Sequence, residues 1–336
     1  MITKQYAEKS EGLLVVSPSP HERRRVTTAS VMKDVFIALL PATIWGCYQF
    51  GWRAALIVLL AVVSSVLFEM LTQILLRRTV TIADCSAAVT GLLLGLNLSP
   101  SVPLYIPIVG SAFAIIVVKQ LFGGIGKNIM NPALAARVFL MLAWTTPMSS
   151  FPAPDAVDAV ASATPLVSLK TGDLNACASL GDLFFGRVGG CIGEISVLML
   201  LIGGAYLLIR RVISWHIPVT FLGTVALFTF LFPIGGADRL DFMLASLCSG
   251  GLMLGAFFMA TDYVTSPVTP VGRLVFGFGC GALVVFLRYF SGYSEGVSFA
   301  ILIMNALVWY LDVLGKPRVF GKKRFEKKPQ TAGGQK

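Results

Sequence analysis

Apolar stretches of membrane-spanning length recur along this chain from Val31 to Leu314, and an apolar helix of about 20 residues crosses the hydrocarbon core of a bilayer. Ten such stretches can be placed, at 31–50, 53–76, 82–98, 102–122, 131–147, 189–210, 215–234, 240–261, 271–289 and 295–314. Composition agrees with them, because only 13% of the residues are charged and the mean hydropathy is +0.79, whereas a soluble domain carries about 25% charge. The sequence therefore predicts an all-α integral membrane protein with ten transmembrane helices.

Positive charge is concentrated at the two ends of the chain. The net charge is +10, and residues 316–336 alone contain eight basic side chains and one acidic side chain. If both ends are cytoplasmic, 22 basic residues lie on the inner side or at its edge and five lie on the outer side. Because cytoplasmic loops are enriched in lysine and arginine, we predict a cytoplasmic N-terminal segment (1–30) and a basic cytoplasmic tail (315–336). No basic domain or aromatic RNA-binding motif indicates a nucleic-acid partner.

One long polar connection, residues 148–188, interrupts the otherwise short loops. It divides the stretches into a first set of five (31–147) and a second set of five (189–314). An odd number of spans in each half inserts the second half with the opposite orientation, as in inverted-repeat transporters. The sequence thus predicts two inverted five-helix repeats, and the charge distribution places the connection on the periplasmic or extracellular side.

A pair of glycines four positions apart occurs at the same place in both halves. Gly91 and Gly95 lie in the third stretch, Gly251 and Gly255 lie in the eighth, and each pair precedes a polar segment that contains proline. Unwound helix at matching positions is tolerated where it lines a protein-enclosed site. The pattern therefore predicts broken helices in each half and a shared site near the middle of the membrane. The alternative is a pair of glycine-rich packing helices.

The polar segment of the second half supplies four candidates for a cofactor contact or an ion path: Asp262, Thr265, Ser266 and Arg273. Ionisable side chains at membrane depth are functional candidates by default. The alternative for the two charged residues is an ordinary ion pair between Asp262 and Arg273 at the inner interface.

In the first half, Asn128 and Asn131 are three positions apart and share one helix face. Asn131 precedes Pro132, and this order is typical of a helix N-cap followed by the first helical residue. The alternative is a binding role, in which the amides serve as uncharged hydrogen-bond donors and acceptors for a polar ligand.

A short motif in the long connection, DAVASAT from Asp158 to Thr164, places small residues around a threonine. Ser162 and Ala163 precede Thr164, and Pro165 favours an extended backbone at the threonine. By themselves these residues are typical of a solvated loop, because no neighbouring histidine or lysine would activate the hydroxyl as a nucleophile.

The six cysteines are scattered, without a C-x-x-C pair or a Cys/His spacing suited to a metal or an iron–sulfur cluster. No glycine-rich dinucleotide-binding motif follows a predicted strand. We therefore expect no metal site and no complete catalytic site on this chain.

Four segments together resemble the family that contains the D subunit of the Rnf complex and the B subunit of the sodium-pumping NADH:quinone reductase. They are VSPSPHERR from Val16, VMKDVFIALLPA from Val31, FGGIGKNIMNPALAARVF from Phe122 and MATDYVTSPVTPVGRLVFG from Met259. The DAVASAT motif also stands at the family's position, between the fifth and sixth spans.

This resemblance implies two flavins. A flavin transferase would attach FMN through a phosphoester to Thr164, within a motif that includes Asp158, Ser162 and Ala163. Ala161 stands where the family usually has a hydroxyl residue. The resemblance also implies a non-covalent riboflavin, and its residues in this chain would be the two asparagines, Asn128 and Asn131.

Chain length and ends favour the branch of the family that holds the Rnf D subunit. That branch implies an ion-translocating ferredoxin:NAD+ oxidoreductase in the bacterial inner (cytoplasmic) membrane. The A, B, C, E and G subunits of the complex would be its partners, Na+ or H+ the transported ion, and this chain an electron relay. The alternatives are the B subunit of a sodium-translocating NADH:quinone reductase and a flavin-free solute channel of urea-transporter-like architecture.

Overall fold

The computed structural model describes residues 27–151, 165–171, 178–235, 238–292 and 295–315. Every regular element in these ranges is helical, as predicted. The helices are α1 (Thr28–Phe50), α2 (Trp52–Leu75), α3 (Ser86–Leu96), α4 (Tyr105–Ala112), α5 (Pro132–Ala143), α6 (Thr145–Ser149), α7 (Pro165–Thr171), α8 (Leu180–Phe185), α9 (Val197–Ile209), α10 (His216–Leu231), α11 (Arg239–Cys248), α12 (Leu252–Leu254), α13 (Pro270–Phe290) and α14 (Val297–Leu314). Two of them continue as π-helix, α4 into Phe113–Gln120 and α12 into Gly255–Met259.

Four of the described helices, α1, α2, α13 and α14, are long and apolar enough to cross a membrane. A fifth apolar unit, Arg239–Cys248 with Leu252–Met259, is bent by 64° at its break. Shorter apolar helices are Ser86–Leu96, Tyr105–Gln120, Pro132–Ala143, Val197–Ile209 and His216–Leu231. An apolar helix thus lies within each predicted stretch, while the count of ten complete spans and the inverted repeat stay predictions.

Helix α2 illustrates how the apolar residues divide between the protein interior and its surroundings. Leu59, Leu67 and Leu71 are each more than half exposed, whereas the buried face carries small residues such as Ala54 and Ala61. A regular exposed row of leucines requires an apolar environment, and small residues let neighbouring helices approach closely. This division is that of a membrane helix.

The glycines of the predicted repeat lie at close helix contacts. A Cβ atom on Gly91 would stand 2.5 Å from the carbonyl oxygen of Ala61, and a Cβ atom on Gly251 would stand 2.4 Å from Oε1 of Glu194. Gly91 therefore lets α3 approach α2 closely, as small residues do in membrane helices, whereas Gly251 makes room for the buried side chain of Glu194.

The connection before α9 enters the protein interior. The predicted sixth stretch begins at residue 189, but α9 begins at Val197. The backbone N–H groups of Ile192 and Gly193 donate to the carbonyl oxygens of Leu98 and Leu96, at 3.0 and 2.8 Å. The physical reason for this difference is that the connection satisfies carbonyl groups left unpaired where α3 ends.

Helix α7 anchors the end of the long connection to the second half of the chain. Leu166 and Leu169 are buried beside Phe242 of α11, and Nζ of Lys170 donates to the carbonyl oxygen of Ser291 after α13. The connection is therefore held in place directly after residue 164.

Candidate functional site

A cavity of about 750 Å³, part of which is open to solvent, lies between residues of the two halves. Its apolar walls include Val35, Val89, Leu93, Leu207, Phe257 and Phe258. Its polar lining residues include Ser86, Thr90, Lys119, Asn128, Asn131, Thr261 and Asp262. Ligand cavities typically combine apolar walls with a few polar groups, so the lining of this cavity has the character of a small-molecule site.

Asn131 lines the cavity, but its side chain is already paired within the protein. Its Oδ1 accepts hydrogen bonds from the backbone N–H groups of Ala133 (3.0 Å) and Leu134 (3.4 Å) and so caps α5, whose first residue is Pro132. Its Nδ2 donates to the carbonyl oxygen of Met259 at 3.2 Å. The N-cap interpretation is confirmed, and Asn131 also links the two halves.

Asn128 differs because its Oδ1 is buried and has no hydrogen-bond partner among the described residues. Leaving a buried acceptor unpaired costs about 1–3 kcal/mol, and a ligand N–H group in the cavity would remove this cost. A flavin ring carries such a group on its polar edge, and its aromatic faces match the apolar walls. The residues present therefore fit a flavin, with Asn128 rather than Asn131 as the free polar contact.

Lys119 reaches the cavity from the π-helical end of α4, as one half of a buried ion pair. Its Nζ lies 2.8 Å from Oε1 of Glu69, and the two side chains are 2% and 1% exposed. Ser86 Oγ lies 2.6 Å from the same Nζ, and Nε2 of Gln120 donates to Glu69 at 2.8 Å. Since a buried charge is tolerated when it is paired and hydrogen-bonded, this network fixes an ammonium group at the edge of the cavity.

Asp262, which also lines the cavity, is in contact with Thr265. Oγ1 of Thr265 donates to Oδ2 of Asp262 at 3.1 Å. Asp262 lies in the connection between the π-helical segment and α13, where burial raises the pKa of its carboxyl group, while the hydrogen bond from Thr265 and the charge of Lys119 oppose that shift. The structure thus brings Asp262 to the same cavity as Asn128.

Arg273 and Ser266 lie apart from the Asp262 carboxylate. Nε of Arg273 donates to the carbonyl oxygen of Pro267 at 3.0 Å, and the described residues contain no ion pair between Arg273 and Asp262. The expected ion pair does not form, because the guanidinium group is held by its own loop. Both residues line a neighbouring cavity instead.

A second buried charge cluster surrounds Arg137 of α5. Its Nη1 donates to Oε1 of Glu194 (2.8 Å) and to Oδ1 of Asn97 (2.7 Å), and its Nη2 contacts the Glu295 carboxylate and Sγ of Cys191. One ligand atom from each of Cys191, Glu194 and Glu295 lies within 4.8 Å of the others. The guanidinium group among them supplies the positive charge, so this cluster is an ion-pair network that joins the two halves.

Three basic residues that entered the charge count are buried in the protein. Lys119 and Arg137, counted on the inner side, and Arg288, counted on the outer side, are 2%, 5% and 7% exposed. Most of the remaining basic residues still lie on the predicted cytoplasmic side, and this distribution favours the predicted orientation. Lys119 and Arg137 lie within the fourth and fifth apolar stretches, where a charge needs a partner. Their positions in the sequence could therefore have indicated that each forms a buried ion pair.

Two π-helical segments shape the cavity. Phe113–Gln120 contributes Lys119, and Gly255–Met259 contributes Phe257 and Phe258. Such turns are rare and frequently occur at functional sites. Sequence analysis missed them, because a hydrophobic run has no feature that separates a π-helical turn from an α-helical one.

The predicted attachment motif, with Asp158, Ser162, Ala163 and Thr164, lies outside the described residues. The described chain resumes at Pro165, the first residue of α7. The attachment of FMN therefore stays a prediction.

The sequence profile of the NQR2, RnfD, RnfE family matches residues 15–321, which include every described helix. The chain belongs to this family. Both sides of the cavity, from Lys119 to Asn131 and around Asp262, fall within the matched residues.

Several members of the NQR2, RnfD, RnfE family are similar to this chain over most of its length. The D subunit of the Na+-translocating ferredoxin:NAD+ oxidoreductase complex of Acetobacterium woodii is 47% identical over 95% of this chain and 98% of its own. The D subunit of the proton-translocating ferredoxin:NAD+ oxidoreductase complex of Clostridium ljungdahlii is 38% identical over 95% and 99%. The D subunit of the ion-translocating oxidoreductase complex of Stutzerimonas stutzeri is 39% identical over 89% and 93%.

Proposed function

We propose that this chain is the membrane flavoprotein component of an ion-translocating ferredoxin:NAD+ oxidoreductase of the Rnf type. Three similar proteins, from Acetobacterium woodii, Clostridium ljungdahlii and Stutzerimonas stutzeri, are each named as the D subunit of such a complex or of an ion-translocating oxidoreductase complex. Similarity over 89–95% of this chain supports the same role for it, in preference to the B subunit of a quinone reductase.

The observation that carries the redox part of this proposal is the unpaired Oδ1 of Asn128 in the cavity. Bound there, a riboflavin would supply one- and two-electron redox chemistry. Asn128 would accept a hydrogen bond from its ring, and walls such as Leu93 and Phe257 would exclude water from it.

The second proposed flavin is FMN on Thr164, on the outer side of the membrane. Packing of Leu166 and Leu169 against the second half supports a fixed position for the chain directly after this threonine. The remaining asymmetry of basic residues supports cytoplasmic termini and an outer connection. Electrons from cytoplasmic partner proteins would therefore cross the membrane to reach this flavin, a geometry in which electron transfer can be coupled to ion movement.

The named relatives carry different ions, Na+ in one and the proton in another. Either ion is compatible with membership of the family. The ion is therefore assigned by transport: complexes reconstituted in vesicles would acidify the lumen directly if protons move, and would accumulate 22Na+ in the presence of a protonophore if sodium moves.

Flavin content tests the function itself. A denaturing gel of the purified complex should show a fluorescent band at the mass of this chain, 36.0 kDa, and acid extraction should release a further, phosphate-free flavin. A chain with neither flavin would contradict the proposal and favour the solute-channel alternative. Reduction of quinone rather than NAD+ by the complex would favour the quinone-reductase alternative.

A further inference from the structure

A second cavity, of about 730 Å³ and also partly open to solvent, adjoins the flavin cavity and shares Val212, Ile213, Thr261 and Tyr263 with it. It opens between the connection that joins α9 to α10 and the loop before α13. The remaining residues that line it are Arg211, Ser214, Ile217, Ser266 and Arg273. Two arginines and two serines in one cavity form a set of donors suited to an anion.

Most of these donors have no partner among the residues that the structure describes. Arg211 makes no side-chain hydrogen bond within the described residues, and Arg273 uses only its Nε, toward Pro267. The hydroxyl groups of Ser214 and Ser266 are likewise without a partner among the described residues. Since guanidinium groups bind phosphate oxygens with two parallel hydrogen bonds, the free ends of the two arginines are suited to a phosphate group.

The lining of this cavity contains two arginines and no carboxylate. The carboxylates on neighbouring elements have other partners: Asp34 accepts hydrogen bonds from Arg210 (3.2 Å) and from the hydroxyl group of Tyr206 (3.1 Å), Asp262 accepts from Thr265, and Asp312 accepts from the backbone N–H group of Val268 (2.9 Å). The lining itself therefore carries positive charge. The first turns of α10 and α13 also border it, and their N-terminal dipoles add to the attraction for an anion.

The helix ends and the loop next to this cavity carry exposed apolar residues. On the α9–α10 side, Ile209, Trp215 and Val219 are 80%, 56% and 57% exposed, and on the α13 side Val268 and Val271 are 74% and 55% exposed. Tryptophan is enriched where lipid headgroups meet the hydrocarbon core. A positive cavity with apolar flanks at this depth matches a molecule that has an anionic head and hydrocarbon tails.

We propose that this cavity binds the phosphate headgroup of an anionic phospholipid in the cytoplasmic leaflet. Arg211 and Arg273 hold the phosphate, Ser214 and Ser266 donate to its remaining oxygens, and the acyl chains lie along Val219 and Val271. Basic pockets between membrane helices on the cytoplasmic side are known to bind such headgroups. Because this cavity shares Tyr263 with the flavin cavity, the lipid also closes one wall of the flavin site.

The test compares lipid binding by variants of the full chain within its purified complex. Nanodiscs made of phosphatidylcholine, with or without phosphatidylglycerol, are used to measure the dependence of the unfolding midpoint on anionic lipid. Arg211→Gln should weaken binding of phosphatidylglycerol by about fivefold, and Arg211→Gln with Ser214→Ala by more, since one basic residue near the surface contributes about that factor. Arg211→Lys should recover only part of it, because lysine keeps the charge but not the two parallel hydrogen bonds of a guanidinium group.

The matched control is Arg77→Gln. Arg77 is an exposed arginine after α2 with the same left-handed backbone as Arg211 (φ 51° and 56°), and it lies outside the cavity. Equal losses in Arg77→Gln and Arg211→Gln would mean unspecific attraction and would overturn the proposal. Stabilisation by inorganic phosphate alone, with no further effect of phosphatidylglycerol, would assign the cavity to a soluble phosphate and overturn the lipid assignment. An equal response to both lipid compositions would overturn it as well.

Discussion

The side-chain amide of Asn131 donates a hydrogen bond of 3.2 Å to the carbonyl oxygen of Met259, which lies 128 positions further along the chain. The same side chain caps α5, and Nδ2 of Asn97 lies 3.8 Å from Sδ of Met259. One residue thus sets the start of a helix and ties it to the π-helical segment of the second half. Asn131 also lines the cavity, so this contact joins the two halves at the cavity wall.

Replacing Asn131 by leucine should therefore destabilise the fold. The variant loses an N-cap, typically worth about 1 kcal/mol, and leaves the Met259 carbonyl without its partner, which costs about 1–3 kcal/mol more. We expect the free energy of unfolding of the flavin-free chain in detergent to fall by about 2–4 kcal/mol, measured by denaturant titration of tryptophan fluorescence. An unchanged midpoint would contradict this role.

Replacing Asn128 by leucine should remove the riboflavin without destabilising the fold. Its Oδ1 has no partner among the described residues to lose, and leucine removes the cost of an unpaired buried acceptor, so the flavin-free chain should be at least as stable as the unmodified chain, while the extractable riboflavin should be lost. Chromatography of the acid extract measures this loss, and the covalent FMN serves as the internal reference. A variant that keeps its full riboflavin content would show that Asn128 does not contact the ring.

Replacing Thr164 by valine should abolish the covalent flavin without affecting the membrane fold, because valine keeps the shape of threonine but lacks the hydroxyl group that forms the phosphoester. Fluorescence of this chain's band on a denaturing gel is the measurement. Thr145→Val is the control, since it removes another threonine hydroxyl, one that donates to the carbonyl oxygen of Met141. A band that still fluoresces in Thr164→Val would refute the attachment site.

Replacing Arg137 by leucine should be strongly destabilising. It would leave the buried carboxylates of Glu194 and Glu295 without their shared cation, and removing one partner of a buried ion pair costs about 3–5 kcal/mol. Folded yield and the thermal unfolding midpoint measure the effect, with the exposed Arg187→Leu as the control. Adding Glu194→Gln and Glu295→Gln should restore part of the stability, because it removes the uncompensated charge.

Single cysteines in a background without the native six should report the orientation. Arg187→Cys, exposed before α9, should react with a membrane-impermeant maleimide in whole cells. Thr79→Cys, exposed after α2, should react only after lysis. The reverse labelling pattern would invert the topology and place the proposed FMN in the cytoplasm.

Several features of the site could be predicted from the sequence, because they depend on residues that are neighbours in the chain. The order Asn131–Pro132 predicted the cap of α5, and the polar segment after Met259 predicted the break in which Asp262 lies. The pairing of Lys119 with Glu69 was not visible, because the two residues are 50 positions apart. The contact between Arg137 and Glu295 joins residues 158 positions apart, which no local pattern can connect.

By itself the sequence determined the membrane location, the helical class and the family, because each depends on composition, on apolar runs or on short motifs that act within a few residues. Only the tertiary structure decided which of the two asparagines keeps a free amide oxygen and which basic residues are buried. It also decided where the α-helical ladder shifts to a π-helix. The physical reason is that burial and partner choice arise from contacts between distant segments, and a buried charge or amide has no defined role until its partners are in place.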